Sequence, residues 1–467
     1  MRTKRAESMR PKPLDLQWFH RNEIAATEST DEQLSPVSEM IVGMTEMGLA
    51  AKGDGSLQRR SSEPLELCIF LPDQRGLQFT VAEGRQANAH QFIALVWAEL
   101  GLEKEMTQRT LALWMCSPLL SIQLKGHHVP FKLRKLWPHL LRRYANASEE
   151  QIFQDEPLLM VRRNVMLTTD QEVQFDSEPK LLELLYLDAK DCTLRGYRPF
   201  PVSDYTRLAA IQMAIEWGPF DSKIHTLNFI RDAVEDFFPE HVLSSIRGWS
   251  LFGWTISGCA RAEAAIMEQY EDVSDLPVKE LHKRYLQLNR QHPGYGSAVF
   301  FGQIEQRGRW RTRNAPVIVT INCFWLTVVD QTSRLPLLTM SIGRTKWCCL
   351  EGAQGDDPFL ALLFPSDDYD SRLKRMVVIA SKQATFMEAL LDSMATAQEG
   401  RPNGNSGRLD EAYETFFKNR TDLIVSAVFD LRDGVCLEMP DRLRERWLQS
   451  ADHVREPNDY PLEQCAT

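Results

Sequence analysis

The first sustained hydrophobic pattern in the chain begins at Leu65 and has a period of two. LELCIFLP places an apolar residue at every second position, and GLQFTV repeats the pattern after the polar turn DQR. Alternation of this kind indicates half-buried strands, so the two segments predict a hairpin. Asn88 can then cap an amphipathic helix, and RTLALWMCSP and LSIQLKG predict two further strands.

The pattern changes to helical spacing between residues 156 and 293. Apolar residues recur at i, i+3 or i+4, and i+7 in four segments, which contain Leu182, Leu208, Leu227 and Val278. Prolines and the Gly218-Pro219 pair between these segments mark where helices end. The block predicts a small antiparallel helical bundle.

From Gly294 the period returns to two. Seven segments predict strands at short spacing: YGSAVFFGQIE, APVIVTIN, FWLTVVD, PLLTMSI, TKWCCLEG, FLALLFP and KRMVVIASK. An amphipathic helix follows, with Phe386, Leu390, Met394 and Ala397 on one side. Seven strands closed by a C-terminal helix resemble a pleckstrin-homology or phosphotyrosine-binding (PH/PTB-like) barrel.

The three blocks in this order resemble the FERM domain. The segments ALWMCSPLLSIQLKGHHVPFKLRKLWPHLL, DEPLLMVRRNV, YGSAVFFGQI and SKQA carry the resemblance, which extends over about residues 65–398. It implies an α+β multi-lobe fold with a ubiquitin-like first lobe (64–155), a helical acyl-CoA-binding-protein-like second lobe (156–293) and a PH/PTB-like third lobe (294–400). Residues 1–63 lack periodicity and are expected to be mostly disordered, and residues 401–467 form a C-terminal extension.

Charge and composition narrow the function classes. The 467-residue chain has a net charge of −10, which argues against a general nucleic-acid binder. No apolar run is long enough to span a membrane, and the N-terminus lacks the apolar core of a secretory signal. The nine scattered cysteines, without a CxxC pair, favour a reducing, cytoplasmic compartment.

Motifs for catalysis or cofactor binding are missing from the sequence. It contains no GxxxxGK[ST], GxGxxG, HExxH or GxSxG pattern, so we expect neither an enzyme nor a cofactor. His127 and His128 are adjacent and are expected to be ordinary surface or loop histidines rather than metal ligands.

The segment from Lys125 to Arg143 is the most basic part of the chain, with six cations and no acidic residue. Trp137 lies in the apolar turn LWPHLL and is expected to be structural. The cations suit an acidic lipid surface, an acidic protein such as a Ras-like GTPase, or a solvated face. The five that we single out are Lys132, Arg134, Lys135, Arg142 and Arg143.

Two further candidate sites lie in the third lobe. Arg309, Arg311 and Arg313, between its first two strands, form either a lipid-binding loop or a flexible hairpin tip. The resemblance also implies that a peptide adds to the fifth strand, beside the C-terminal helix. Here the strand would contribute Lys346, Trp347 and Cys348, and the helix Met387, Leu391 and Met394, unless this second stripe is simply core.

The resemblance implies a non-enzymatic adaptor or scaffold at the inner face of the plasma membrane. Its partner would be the cytoplasmic tail of a transmembrane protein of the iRhom type. The alternative is an effector of a Rap/Ras-like small GTPase that acts as a scaffold at cell junctions or the cytoskeleton. The apolar segment DLIVSAVF, residues 422–429, is either a docking element for the FERM body or a partner-binding helix.

Overall fold

A computed structural model describes residues 64–103, 108–247, 250–251, 254–255, 259–307, 312–334, 336–350, 357–365, 374–398, 429–432 and 435–436. The expected disorder of residues 1–63, Arg309, Arg311 and most of the C-terminal extension lie outside the described residues. All described residues belong to one unit, Ser38–Thr467.

The first lobe is a five-stranded sheet with one helix packed on it. Its strand order is β2-β1-β5-β3-β4, in which β1 and β5 run parallel and the other neighbours are antiparallel. The strands are β1 (Leu65–Phe70), β2 (Gly76–Val81), β3 (Leu111–Cys116), β4 (Ser121–Gln123) and β5 (Leu158–Arg163). The predicted hairpin and the two following strands are confirmed.

The first sheet extends beyond residue 155, where the sequence pattern placed the end of this lobe. β5 lies at the centre of the sheet, between β1 and β3. A strand pattern shows which residues alternate but not which sheet the strand joins, so the boundary was set too early.

In the described part of this lobe, three helices have both ends defined. α1 (Ala89–Leu100) begins at Asn88, which forms a reciprocal capping box with Gln91. The basic segment forms α2 (Pro130–Tyr144), and a capped short helix, α3 (Glu149–Gln154), follows it.

The second lobe contains the four predicted helices and three that the pattern did not predict. The predicted ones are α5 (Pro179–Leu194), α6 (Val202–Trp217), α7 (Leu227–Phe237) and α10 (Val278–Arg290); the others are α4 (Thr169–Val173), α8 (Glu240–Arg247) and α9 (Cys259–Val273). α9 and α10 both pack against α6. The alanine-rich sequence of α9 carries a weak hydrophobic pattern, which explains its omission. Two antiparallel strands of two residues each, β6 (Ser250–Leu251) and β7 (Trp254–Thr255), precede α9.

The third lobe contains all seven predicted strands and the predicted helix. They form an antiparallel sheet in the order β11-β10-β9-β8-β14-β13-β12, and α11 (Ala384–Gln398) packs on β9, β12 and β13. The strands are β8 (Ala298–Arg307), β9 (Thr312–Ile321), β10 (Trp325–Asp330), β11 (Pro336–Ser341), β12 (Lys346–Leu350), β13 (Phe359–Pro365) and β14 (Lys374–Ala380).

Part of the C-terminal extension joins the same sheet. β15 (Phe429–Arg432) pairs with the first residues of β14 and continues into β16 (Val435–Cys436). Phe429 is the last residue of the apolar segment that the sequence singled out, and residues 422–428 lie outside the described part of the chain.

Candidate partner-binding surfaces and the ionic junction

Helix α2 has one apolar side and one basic side. Trp137, Leu140, Leu141 and Tyr144 recur at helical spacing and are buried. The Trp137 indole also donates a hydrogen bond to Asp155 Oδ2 over 2.8 Å. The structural role of Trp137 is confirmed, but its segment is a helix rather than the expected turn, and Pro138 lies inside it.

The opposite side of α2 is the basic face, formed by exposed Lys132, Lys135, Arg142 and Arg143 with half-buried Arg134. Two of its cations are already paired. Arg142 contacts Glu149 over 2.9 Å, and Arg134 contacts Glu156. The Lys135 ammonium lies 5.0 Å from the centroid of the Phe131 ring.

Three cations of the basic face remain available. Lys132, Lys135 and Arg143 form no ion pair with a carboxylate among the described residues. Such charges are held in place by the helix while their solvation remains intact, so they can approach an acidic surface at little desolvation cost. The sequence therefore located the surface, while the structure reduces its unpaired charge from five groups to three.

The basic helix contacts the third lobe through its last turn. The Tyr144 ring stacks on Phe386 of α11, with centroids 4.0 Å apart. Lys382 donates to the Ala145 carbonyl over 3.1 Å, just beyond the end of α2. Burial raises the pKa of Tyr144 to about 12. Helix α2, which carries the basic face on its other side, is therefore packed against the third-lobe helix.

Strand β12, which contains Lys346, Trp347 and Cys348, lies at one end of the third-lobe sheet and pairs with β13. We call it the edge strand. Its Cys349 amide donates to Glu388 Oε1 of α11 over 3.0 Å instead of to β13. Because successive amides of a strand point in opposite directions, Trp347 and Cys349 direct their backbone groups away from β13.

The helix beside the edge strand does not present the side chains that the groove hypothesis assigned to it. Met387, Leu391 and Met394 are each 0% exposed. Their stripe and the Phe386/Leu390 stripe are both interior, as the alternative interpretation expected. A helix that is covered on more than one side buries more than one apolar stripe. The period of the apolar residues is the same whether the second stripe is buried or lines a groove, so the sequence pattern cannot distinguish the two.

Two acidic residues of α11 bind the edge strand and were not singled out from the sequence. Asp392 accepts from the indole of buried Trp347 over 2.9 Å, and Glu388 accepts from the Cys349 amide. The sequence feature that could have identified them is a pair of carboxylates four residues apart within an otherwise apolar helix. Such a pair in an apolar helix needs polar partners, which β12 supplies.

Of the third-lobe arginine cluster, only Arg313 belongs to the described residues. It lies in β9, where its backbone pairs with Gln306 of β8. Arg313 therefore lies within the second strand of the sheet and not between the first two strands, because β9 begins already at Thr312. The lipid-binding role of the cluster stays a prediction.

An ionic junction connects the three lobes. It consists of Arg163 on β5, Glu172 on α4, Asp176, Arg290 on α10 and Tyr295 before β8. Glu172 is fully buried and accepts from Arg163 Nε over 2.6 Å, Arg290 Nε over 2.8 Å and the Tyr295 hydroxyl over 2.6 Å. Arg290 also binds Asp176 with two hydrogen bonds, of 3.0 and 2.7 Å.

The charges of this junction compensate one another. Burial alone would raise the pKa of Glu172, but the Arg163 and Arg290 guanidinium groups hold it below its usual value. The carboxylate therefore stays ionised, and removing any one partner would leave a buried charge without compensation. Members of the junction lie up to 132 positions apart, so no local sequence signal could have revealed it.

Buried histidines mark two other tight contacts. His128 lies in the loop before α2, one of the two placements that the sequence suggested, but it is only 5% exposed, and burial lowers its pKa to about 4. His292 donates from Nε2 to the Pro199 carbonyl over 2.9 Å and accepts the Gly294 amide at Nδ1 over 3.0 Å. Burial lowers the pKa of His292 to about 3, so its ring is neutral.

The described residues contain neither a candidate metal site nor a helix that could span a membrane. Within the described ranges, histidine, cysteine and carboxylate side chains nowhere gather in a group of three that could bind a metal ion. Across the same part of the chain, no helix combines the length and apolar character that crossing a bilayer requires.

Comparison with known proteins finds similarity to FERM-domain proteins. The family model of the FERM central domain matches residues 171–300, which include helices α5 to α10. FERM domain-containing protein 8 of Xenopus laevis is 29% identical over 343 residues, which cover 71% of this chain and 75% of that protein. The human protein of the same name is 28% identical over 354 residues, covering 73% and 75%.

Comparison of structures gives the same fold. The MyTH4-FERM MF2 domain (mutant 1) of Dictyostelium discoideum myosin VII matches with a TM-score of 0.50 and 13% identity. The match covers 72% of this chain and 61% of the myosin chain, so the chain spans about three-fifths of that structure. The chain therefore has the α+β multi-lobe fold of FERM domains and is similar over most of its length to FERM domain-containing protein 8.

Proposed function

We propose that this protein is an adaptor that binds the cytoplasmic tail of a transmembrane protein of the iRhom type at the inner face of the plasma membrane. The observation that carries the proposal is the edge strand β12, whose outward-facing Cys349 amide is bound by a side chain instead of a strand. A peptide strand can replace such a side chain, because its carbonyl offers the same acceptor in a continuous ladder.

The location of the basic face supports a membrane-proximal role. Its unpaired cations Lys132, Lys135 and Arg143 lie on the helix that stacks on α11 through Tyr144. Each such cation contributes about 1 kcal/mol of attraction near an anionic leaflet. A tail that leaves the membrane would therefore reach the edge strand on a protein already held at that surface.

Two substitutions with opposite expected effects test the docking site. Cys349→Pro removes the outward N–H and should weaken capture of an iRhom tail, while the β12–β13 ladder, which uses other amides, stays intact. Glu388→Ala removes the side chain that competes for the same amide, so it should strengthen capture. Binding is measured by pull-down and by titration of a fluorescent tail peptide.

Asp392→Asn provides the matched control. It changes a carboxylate one turn further along α11 that binds the Trp347 side chain, not the strand backbone. Tail affinity should stay within about twofold of the unmodified protein, because the outward amides are untouched. If Cys349→Pro and Glu388→Ala both bind the tail like this control, the edge strand is not the docking site.

A second candidate function is that of an effector of a Rap/Ras-like GTPase. The observation that favours it is strand β2, which lies at an edge of the first-lobe sheet with every second residue exposed. An open edge of this kind can pair with a strand of another protein. A parallel pull-down with GTP-loaded Rap separates the proposals: capture of the GTPase without the tail would favour this alternative.

A further inference from the structure

Three large apolar side chains of the described residues are exposed within six positions of the second lobe. Ile224 is 57% exposed, Leu227 41% and Phe229 36%. Ile224 lies in the loop after α6, and the other two lie in the first turn of α7. Single exposed apolar residues are ordinary on a soluble protein, but a contiguous group of large ones indicates an interaction site. We call these three residues the apolar patch.

The loop that carries Ile224 is held by its own hydrogen bonds. The amides of Ile224 and His225 donate to the Asp221 carbonyl over 3.0 and 2.8 Å, and the Asp221 amide donates to His225 Nδ1 over 2.9 Å. Thr226 then caps α7 by accepting from the Phe229 amide over 3.4 Å. The apolar patch is therefore presented by a defined loop and helix start, as in partners whose interface changes little on binding.

The apolar patch rests on an aromatic cluster. The centroid of the Phe229 ring lies 4.9 Å from that of Trp217 and 5.4 Å from that of His225. The His225 side chain is buried and also lies against Tyr270 of α9, with centroids 5.1 Å apart. Phe229 is therefore held by packing on one side while its remaining surface is open. Aromatic side chains of this kind are enriched at the centre of protein interfaces.

An acidic stripe, Asp232 and Asp236, continues from the apolar patch along α7. Phe229, Asp232 and Asp236 recur at i, i+3 and i+7, so they share one side of the helix, and both aspartates are exposed. Neither aspartate forms an ion pair among the described residues, whereas the neighbouring Arg231 already pairs with Glu263 over 2.7 Å. This side of α7 is therefore apolar at its start and negatively charged further along.

The charge near the end of α7 is unfavourable for the helix itself. Asp236 lies in the last turn, which contains no basic residue. The helix macrodipole places partial negative charge at this end, so it disfavours an anionic side chain there. Six acidic and two basic residues lie between positions 216 and 240, so the segment around α7 is itself acidic. A cation from a partner would relieve this repulsion.

These observations specify the chemistry of the partner. It needs apolar side chains to cover the apolar patch and cations to face the acidic stripe. Phe229 and Asp236 are about 10 Å apart along the helix axis, at about 1.5 Å per residue. A second helix docked along α7 presents an apolar and a basic residue at the same seven-residue spacing. An anionic lipid surface is disfavoured, because the two aspartates would face its negative headgroups.

We propose that the apolar patch and the acidic stripe of α7 together form a docking surface for a basic amphipathic helix of a partner protein. The apolar side of that helix would cover Ile224, Leu227 and Phe229, and its lysine or arginine side chains would pair with Asp232 and Asp236. The surface belongs to the second lobe, whereas the edge strand belongs to the third lobe and the basic face to the first. It therefore shares no residue with the proposed tail site, and each proposal can fail without the other.

Fluorescence anisotropy of a labelled peptide tests the proposal on the full chain. The peptide has about 18 residues, long enough to form a helix, with leucine at helical spacing on one side and lysine on the other. Saturable binding at physiological ionic strength is expected. A peptide with glutamate at each lysine position should bind about tenfold more weakly, because its charges would face the acidic stripe.

Two pairs of substitutions locate the site. Ile224→Ser combined with Leu227→Ser removes apolar surface at exposed positions, so it should weaken peptide binding about tenfold while the melting temperature stays nearly unchanged. Asp232→Asn combined with Asp236→Asn should weaken binding about fivefold. The second pair should also reduce the salt dependence of binding, because dissolved ions screen the attraction that these charges contribute.

Matched controls change similarly exposed residues elsewhere in the chain. Val202 and Val278 are 46% and 52% exposed, and each begins another helix of the second lobe. Val202→Ser combined with Val278→Ser should therefore leave peptide affinity unchanged. Glu83→Gln combined with Glu99→Gln makes the same change of net charge at exposed positions of the first lobe and should also have no effect. If the controls weaken binding as much as the site variants, the peptide binds nonspecifically and the proposal is wrong.

Two further measurements identify the occupant. The C-terminal extension contains a basic amphipathic sequence of its own, RLRERWL, at residues 442–448. If changing Arg442, Arg444 and Arg446 to Glu makes the full chain bind the peptide more than about tenfold more tightly, the chain's own extension covers the surface. If sedimentation shows a dimer that the apolar-patch double variant loses, a second copy covers it. Either result would overturn the assignment to a partner protein, and so would the absence of saturable peptide binding.

Discussion

Helices α2 and α11 contact each other through Tyr144 and Phe386, yet their remaining sides differ completely. α2 buries one side and exposes the basic face, whereas α11 buries Met387, Leu391 and Met394 as well as Phe386 and Leu390. Both helices have a pattern of apolar residues at helical spacing. Only for α2 does that pattern coincide with the division between buried and exposed side chains.

The difference lies in what marks the second side of each helix. Lysine and arginine side chains are almost never fully buried without a partner, so a stripe of them identifies solvent-facing positions. An apolar second stripe carries no such information, since it suits a peptide groove and an interior contact equally well. Charged positions therefore predicted exposure on α2, while apolar positions on α11 left two interpretations open.

Substitution of a covered position on α11 should have the largest effect. Leu391→Glu places a charge at a site that is 0% exposed and should lower the free energy of unfolding by more than about 3 kcal/mol. Leu136→Glu on α2 is the control, because Leu136 is 38% exposed and should cost less than about 1 kcal/mol. Urea denaturation of both variants provides the comparison. Equal urea midpoints for the two variants would mean that the second stripe of α11 is open to solvent. The hypothesis of a peptide groove at this stripe would then be supported again.

The ionic junction allows the same comparison between buried and exposed positions, now for charged groups. Glu172→Gln removes the fully buried carboxylate that Arg163 and Arg290 share and should cost about 3 kcal/mol of unfolding free energy. The matched control is Glu280→Gln, whose exposed pair with Arg284 has a distance of 3.8 Å and should contribute under about 0.5 kcal/mol. Similar losses of unfolding free energy for the two variants would show that the buried ion pair contributes no more to stability than the exposed one.

Buried histidines should make the stability of the fold decrease in mild acid. Burial lowers the pKa values of His128 and His282 to about 4 and of His292 to about 3, so these rings stay neutral in the folded chain. Below the ordinary histidine pKa of about 6.5 the unfolded chain binds more protons, and stability falls as the pH falls. Between pH 6.5 and 5.5 each neutral ring contributes a loss of about 1 kcal/mol, because the histidine of the unfolded chain is already about half protonated at pH 6.5.

His282→Phe isolates one of these rings. The substitution keeps an aromatic ring against Tyr186, whose centroid lies 4.5 Å from that of His282. The variant should lose less stability than the unmodified protein between pH 6.5 and 5.5, by about 1 kcal/mol, while no pH-dependent difference is expected above pH 7.5. An unchanged pH dependence in this window would contradict neutral burial of His282.

Charge reversal on the open side of α2 should have the smallest effect on stability and a large effect on membrane binding. Changing Lys132, Lys135 and Arg143 to Glu should alter the unfolding free energy by less than about 0.5 kcal/mol per site. Sedimentation with anionic liposomes should be lost, and binding of the unmodified protein should weaken with salt because exposed charges are screened beyond about 8 Å at physiological ionic strength.

A matched triple variant controls for net charge. Arg207, Lys223 and Arg284 are exposed second-lobe cations, and their reversal to Glu gives the same total charge. This variant should still bind the liposomes. Salt-insensitive or absent binding of the unmodified protein would rule out the lipid interpretation of the basic face.

Most of the element order could be predicted from hydrophobic period. Every predicted strand of the first and third lobes and the four predicted second-lobe helices are confirmed, because each buries a face that alternates at its own period. The short α4 and the alanine-rich α9 were missed, since they present few apolar positions. The strands β15 and β16 were missed because their pairing with β14 is decided by distant residues.

The candidate sites were predictable only in part. The basic face was visible as a run of cations, but its pairs with Glu149 and Glu156 depend on where α3 and the following loop pack. The contacts of Glu388 and Asp392 with β12 join residues about forty positions apart. Such contacts follow from how elements pack, which no local pattern specifies.

The sequence by itself therefore determined the succession of elements, the resemblance to the FERM domain and the position of the basic face. These properties depend on local periodicity, local composition and motifs that lie within one segment. Only the tertiary structure decided that the second stripe of α11 is interior, that β5 completes the first sheet and that Arg163, Glu172, Arg290 and Tyr295 form one junction. Burial and long-range pairing depend on which surfaces cover each other, and that is a property of the packed lobes together.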